Sequence, residues 1–122
     1  MRRLVAAVAV VLLSAMTLTA CGSGSSSQKA ADLPTKVIDI TFSGSDTTPN
    51  GTDIDVRVGQ RIELDVTADK PGEIHVHSSP KEQEFEYDQG SSTFHVAPIQ
   101  APGQVVVESH TLNKTLFTLV AR

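Results

Sequence analysis

The chain has 122 residues, with 14 acidic and 10 basic side chains, four histidines, one cysteine and no tryptophan. That length accommodates one small domain, and an acidic balance with no run of basic residues argues against a nucleic-acid partner. With its single cysteine at position 21, the chain has no intrachain disulfide, and nothing after Cys21 can supply a thiolate metal ligand.

Arg2 and Arg3 precede an apolar run from Leu4 to Ala20, interrupted only by Ser14, Thr17 and Thr19. A positive segment followed by a short apolar one is the build of a secretory signal. Leu18-Thr19-Ala20-Cys21 resembles the bacterial lipobox. That resemblance implies a signal peptide over residues 1–20, cut before Cys21, whose thiol then carries a diacylglyceryl group with a further acyl chain such as palmitate. One acyl chain binds a bilayer marginally, whereas two or three hold it stably. The expected location is the extracytoplasmic face of the cell membrane. Cleavage removes Arg2 and Arg3 and leaves 14 acidic against 8 basic residues, a formal charge of −6. Anionic lipid should repel such a chain as a whole, so membrane contact is expected through the lipid anchor. Gly22 to Lys29 is a glycine-serine segment with nothing to bury, so residues 21–33 read as a flexible tether and residues 34–122 as the domain.

The domain reads as a succession of short strands. Lys36 to Phe42 places Ile38, Ile40 and Phe42 at period two. Ser43 to Gly51 is rich in turn formers and reads as a loop. Asp53 to Val58 alternates, Gly59-Gln60 turns the chain, and Arg61 to Thr67 alternates again with Ile62, Leu64 and Val66 on one face. Lys70-Pro71-Gly72 then leads into Glu73-Ile74-His75-Val76-His77. Glu84 to Tyr87, Ser92 to Val96, Gln104 to Ser109 and Thr115 to Val120 complete the set. About seven or eight strands with no helical pattern predict an all-β fold, an antiparallel sandwich or small barrel. The expected core is Ile38, Ile40, Ile54, Val56, Ile62, Leu64, Val66, Ile74, Val76, Val105, Val107, Phe117 and Leu119, supplemented by Phe42, Phe85 and Phe94.

Side chains two apart on a strand share a face, so Glu73, His75 and His77 should form one polar strip opposite Ile74 and Val76. His110 follows Glu108 at the same spacing near the end of another strand. His95 lies with Thr93 and Ala97 and reads as a structural residue. Imidazole with carboxylate suits Cu(II) or Zn(II), and His-x-His on one strand face brings two rings within reach of one ion. His75, His77, His110 and Glu108 are therefore the candidate metal ligands. No glycine-flanked elbow surrounds any serine, so Ser78, Ser79 and Ser109 carry no sign of a nucleophile, and no enzyme is expected. Histidines beside Glu73 and Glu108 should also respond to mild acid.

The segments Val56 to Leu64, Glu73 to His77, and Pro102-Gly103 leading to Glu108-Ser109-His110 resemble EfeO-type cupredoxin-like domains, over roughly Lys36 to Arg122. The resemblance implies a Greek-key β-sandwich. It also places the family's copper thiolate position close to Ser109. Serine cannot supply that sulfur, and no methionine follows Met16, so a type 1 blue-copper electron carrier is excluded on ligand chemistry. Two readings stand: a lipid-anchored module with a histidine-based copper or zinc site, or a metal-free accessory domain that docks on an envelope protein through its polar strip.

Overall fold

The computed structural model describes residues 33–122; the expected signal peptide, Cys21 and the tether up to Asp32 lie outside them. Nine strands make up the described chain: β1 (Lys36–Ser43), β2 (Asp46–Thr48), β3 (Thr52–Val56), β4 (Ile62–Ala68), β5 (Gly72–Val76), β6 (Gln83–Tyr87), β7 (Gly90–Val96), β8 (Gly103–Ser109) and β9 (Lys114–Ala121). They form a four-stranded sheet in the order β2-β1-β4-β7 and a five-stranded sheet in the order β3-β9-β8-β5-β6. The two sheets close on each other as a β-sandwich.

The eight expected strands are all present, and β2 is the addition. Its sequence, Asp46-Thr47-Thr48, has no apolar residue to mark a strand, and only Thr47 is buried. It pairs back on β1 as a hairpin, with Ser43 opposite Asp46. The Gly59-Gln60 corner is not a hairpin. It carries the chain from the five-stranded sheet into the four-stranded one, and β1 with β4 and β3 with β9 pair in parallel. Both sheets are therefore mixed, because alternation along a strand fixes which face is buried but not which strand lies beside it.

The core follows the alternation closely. Ile40, Ile62, Leu64, Val66, Ile74, Val76, Val107, Phe117 and Leu119 are all at most 2% exposed. Ile54 is only half-buried, as befits the edge strand β3. Tyr87, Val96, Ile99, Leu116 and smaller residues join the core beyond the expected set. Two aromatic pairs tie the sheets together at the β6 side. Phe42 of β1 stacks on Tyr87 of β6 with ring centroids 4.8 Å apart, and Phe85 of β6 meets Phe94 of β7 at 5.3 Å.

Leu116 marks an irregularity that matters for the site. Val107 pairs with Phe117, but Glu108 pairs with Thr115, so Leu116 is an extra residue in β9. Such a bulge shifts the alternation by one and re-aims the side chains beyond it. Leu116 and Phe117 are both fully buried in consequence, and Thr115 is brought opposite Glu108.

Gly72, the first residue of β5, lies against the ring of Tyr87. A Cβ there would meet the Tyr87 hydroxyl and stand 2.7 Å from its Cζ. Gly72→Ala should therefore destabilise the domain by about 1–3 kcal/mol through overpacking. Urea unfolding followed by Tyr87 fluorescence checks this, and an unchanged midpoint would contradict the close approach.

Candidate metal centre

The site is built on the outer face of three neighbouring strands. β5 buries Ile74 and Val76 completely and turns Glu73, His75 and His77 outward. β8 buries Val105, Val107 and Ser109, which leaves Glu108 and His110 on the outer side. β6 contributes Glu84, paired with His75, and His75 in turn pairs with Glu108. One row across β6, β5 and β8 thus reads Glu84, His75, Glu108. His77 follows β5 and keeps its direction, its N–H donating to the Val106 carbonyl at 2.9 Å.

His75 is the centre of the group and is only 7% exposed, although it lies outside the sandwich. The rings of His77 and His110 cover it, with centroids 4.3 and 4.7 Å from its own. One ring nitrogen from each of His75, His77 and His110 falls within 4.8 Å of the others. His75 Nδ1 and His110 Nε2 are 3.2 Å apart. That is close to the ~3.3 Å separating two nitrogens of a tetrahedral zinc shell with bonds of 2.0–2.1 Å.

Carboxylates surround the imidazoles. Glu108 places Oε2 3.1 Å from His77 Nε2 and accepts a hydrogen bond from the Thr115 hydroxyl on Oε1 at 3.2 Å. Glu82, from the loop between β5 and β6, spans two rings: Oε1 lies 3.3 Å from His77 Nδ1 and Oε2 3.1 Å from His75 Nε2. Glu84 approaches the same His75 nitrogen at 3.8 Å, and Glu73 stands 3.5 Å from His110 Nδ1. The Glu82 oxygen is close to His75 Nε2 but outside hydrogen-bonding geometry, so that buried nitrogen has no hydrogen-bond partner. A cation held among the imidazoles offsets the mutual repulsion of the surrounding carboxylates. The donor set fits a borderline metal ion: imidazole and carboxylate, with no sulfur among the described residues.

All four expected ligands, His75, His77, His110 and Glu108, are therefore brought together. Glu82 and Glu84 were not expected. Glu82 sits in a loop with no periodicity to show where it points, and Glu84 needs the β5–β6 register to be placed. His95 lies apart on the other sheet, exposed and 3.3 Å from Glu63, its cross-strand neighbour. Ser109 is fully buried, and its hydroxyl accepts from the Leu112 N–H at 3.3 Å. The residue that the sequence resemblance sets nearest a copper thiolate thus faces the core, on the opposite side of β8 from His110. Ser78 is engaged by the Lys81 carbonyl and the Gln83 amide, at 2.7 and 2.9 Å.

No family model matches the chain, and no curated protein matches it in sequence. Solved structures do match in shape. A reduced tryptophan-to-tyrosine mutant of amicyanin superposes with a TM-score of 0.54 at 10% identity, covering 76% of this chain and 89% of its own. Reduced auracyanin from Roseiflexus castenholzii gives 0.53 at 12% identity, over 71% of this chain and 97% of its own. The fold is cupredoxin-like. In this cupredoxin-like domain the histidine group lies on an outer sheet face, and its neighbours in space are glutamates.

The charges of the site are linked. Partial burial is the largest single influence on His77 and lowers its pKa. The hydrogen bonds and charges of Glu82 and Glu108 together outweigh it, so the pKa is raised above the ordinary 6.5. The hydrogen bond from His77 is the main cause that holds Glu82 below its ordinary 4.5. A raised histidine stabilises the fold fully below its unfolded value and loses that contribution as pH rises through its folded one. A depressed carboxyl contributes above its unfolded value and loses that as pH falls through its folded one. In metal-free protein the His77–Glu82–Glu108 contacts should therefore stabilise most between about pH 4.5 and 6.5. The His77 ring signals in an NMR titration should show a midpoint above 6.5 that drops in Glu82→Gln, and a midpoint at or below 6.5 would contradict the contacts.

Proposed function

We propose that the chain is a lipid-anchored, extracytoplasmic cupredoxin-like module that holds one Cu(II) or Zn(II) ion through His75, His77 and His110. In this reading it is a metal-binding protein, neither a blue-copper electron carrier nor an enzyme. The observation that carries it is the convergence of one ring nitrogen from each of His75, His77 and His110 within 4.8 Å, with His75 Nδ1 3.2 Å from His110 Nε2. Glu108 and Glu82 supply the oxygen ligands or fix the rings from outside, as carboxylates commonly do for metal-bound histidines. Four of the amicyanin neighbours are Cu(I) forms, which supports a copper-compatible scaffold. The anchor rests on Arg2, Arg3, the apolar run and Leu18-Thr19-Ala20-Cys21. A metal-free docking face is the competing reading, and it leaves three imidazoles converging with no ion between them.

Calorimetric titration of tag-free protein with Cu(II) and then Zn(II) tests the metal. One ion per chain should bind. His75→Ala/His77→Ala should lose more than the roughly 10–100-fold that removal of an outer partner costs, while His95→Ala should bind as before. Affinity should fall on acidification, because metal and proton compete for the same nitrogens. No saturable binding at tens of micromolar would favour the metal-free face.

The anchor is tested by the intact mass of protein extracted from membranes in detergent. It should begin at Cys21 and carry the diacylglyceryl thioether. A full-length, unmodified mass would overturn the lipobox reading.

A further inference from the structure

The sequence has no basic run, but the fold makes a basic end. Lys36 opens β1, Arg61 immediately precedes β4, and Arg57 and Arg122 follow β3 and β9. The parallel pairing of β1 with β4 and of β3 with β9 brings like ends of these strands together. Backbone hydrogen bonds close the cluster: the Lys36 N–H donates to the Arg61 carbonyl at 2.8 Å, and the Val58 N–H to that of Arg122 at 3.3 Å. Lys36, Arg57 and Arg122 line one open recess of about 610 Å³. Four of the seven cationic side chains among the described residues thus share one end of the sandwich. Asp55, paired with Arg122, is the one carboxylate lining the recess. Setting Asp55, and Glu63 beside Arg61, against the four cations still leaves this end positive.

A second, independent feature points the same way. Leu33 and Pro34, where the chain arrives from the tether, line the same recess, and the Pro34 carbonyl accepts from the Gln60 side chain at 2.9 Å. Val37, the exposed large apolar residue at 47%, is next to Lys36. The end of the domain that faces the anchor is therefore its cationic end. The acidic histidine group lies elsewhere: five residues of β8 separate Gly103, paired with Ala121, from Glu108, a rise of about 17 Å.

We infer that this end docks on anionic lipid headgroups and orients the domain on the bilayer, with the histidine group held off the surface. This rests on the lipid-anchor reading above. Each cation near an anionic surface contributes about 1 kcal/mol. That is too little to recruit a free protein of net negative charge. An anchored one is already confined: a glycine-serine tether of the expected kind, twelve residues from Cys21 to Leu33, would reach roughly 20 Å. Within that distance a few charges need only select an orientation, and screening over ~8–10 Å makes the selection sensitive to salt.

The test uses a chain beginning at Cys21, which contains both sheets and the whole described core. It is coupled through its sole thiol to a maleimide lipid in nanodiscs that also carry a gadolinium-chelating headgroup. This coupling imposes the anchor, so a failure here is distinct from a failure of lipidation, which the intact mass reads separately. In discs containing phosphatidylglycerol, the amide signals of Lys36, Val37, Arg57, Arg61 and Arg122 should lose at least twofold more intensity than those of His77 and Glu82. The difference should vanish in phosphatidylcholine discs, in 0.5 M salt, and in the K36E/R57E/R61E variant. Wild-type protein compared across lipids and salt keeps the test valid if that variant folds poorly. Equal broadening at both regions, or a pattern indifferent to lipid charge, would overturn the inference.

Discussion

The pairing of β5 with β8 is the constraint on which the candidate centre depends. Only His75 with Glu108 and Val76 with Val107 are in register between these strands. That short ladder does two things at once. It seals Val76 against Val107 in the core, and it sets His75 beside Glu108 on the outer face. Because the side-chain period is two, a slip of one residue would send every histidine inward and every valine outward. Burial of the aliphatic set therefore fixes the geometry of the polar one. The bulge at Leu116 refines it by placing the Thr115 hydroxyl on Glu108, so the carboxylate that meets His77 is itself held.

A cupredoxin-like fold with its histidines on an outer sheet face separates scaffold from site. Ser109 is turned into the core and bonded locally, while His110, one residue on, belongs to the outer group. Adjacent residues of one strand end thus serve opposite faces. The ligand chemistry follows from that placement. Imidazoles ringed by glutamates favour a divalent ion of borderline hardness, and the absence of sulfur among the described residues removes the soft ligands that cuprous copper prefers.

Much of this was legible in the sequence, for physical reasons. Alternation named the buried faces of β1, β4, β5 and β8, and the two-residue spacings His75/His77 and Glu108/His110 marked candidate ligands on shared faces. Convergence was not legible, because His77 and His110 lie 33 residues apart and nothing local encodes which strand pairs with which. Glu84 depends on the same missing register. Glu82 comes from a loop whose course no periodicity describes. β2 escaped because its three residues are all polar and show no apolar alternation. The basic end escaped for a related reason: its four cations come from four separate strand ends, brought together by a parallel pairing within each sheet and by the corner that carries the chain from one sheet to the other.

The central claim is that one metal ion sits among three outward-facing imidazoles. Crystals of the chain soaked in Zn(II), with anomalous data collected on both sides of the zinc edge, address it directly. One strong peak is expected about 2.0–2.1 Å from a nitrogen of each of His75, His77 and His110, with a Glu82 or Glu108 oxygen completing the shell. A peak confined to His95 and Glu63, or no peak in the outer histidine group, would contradict it.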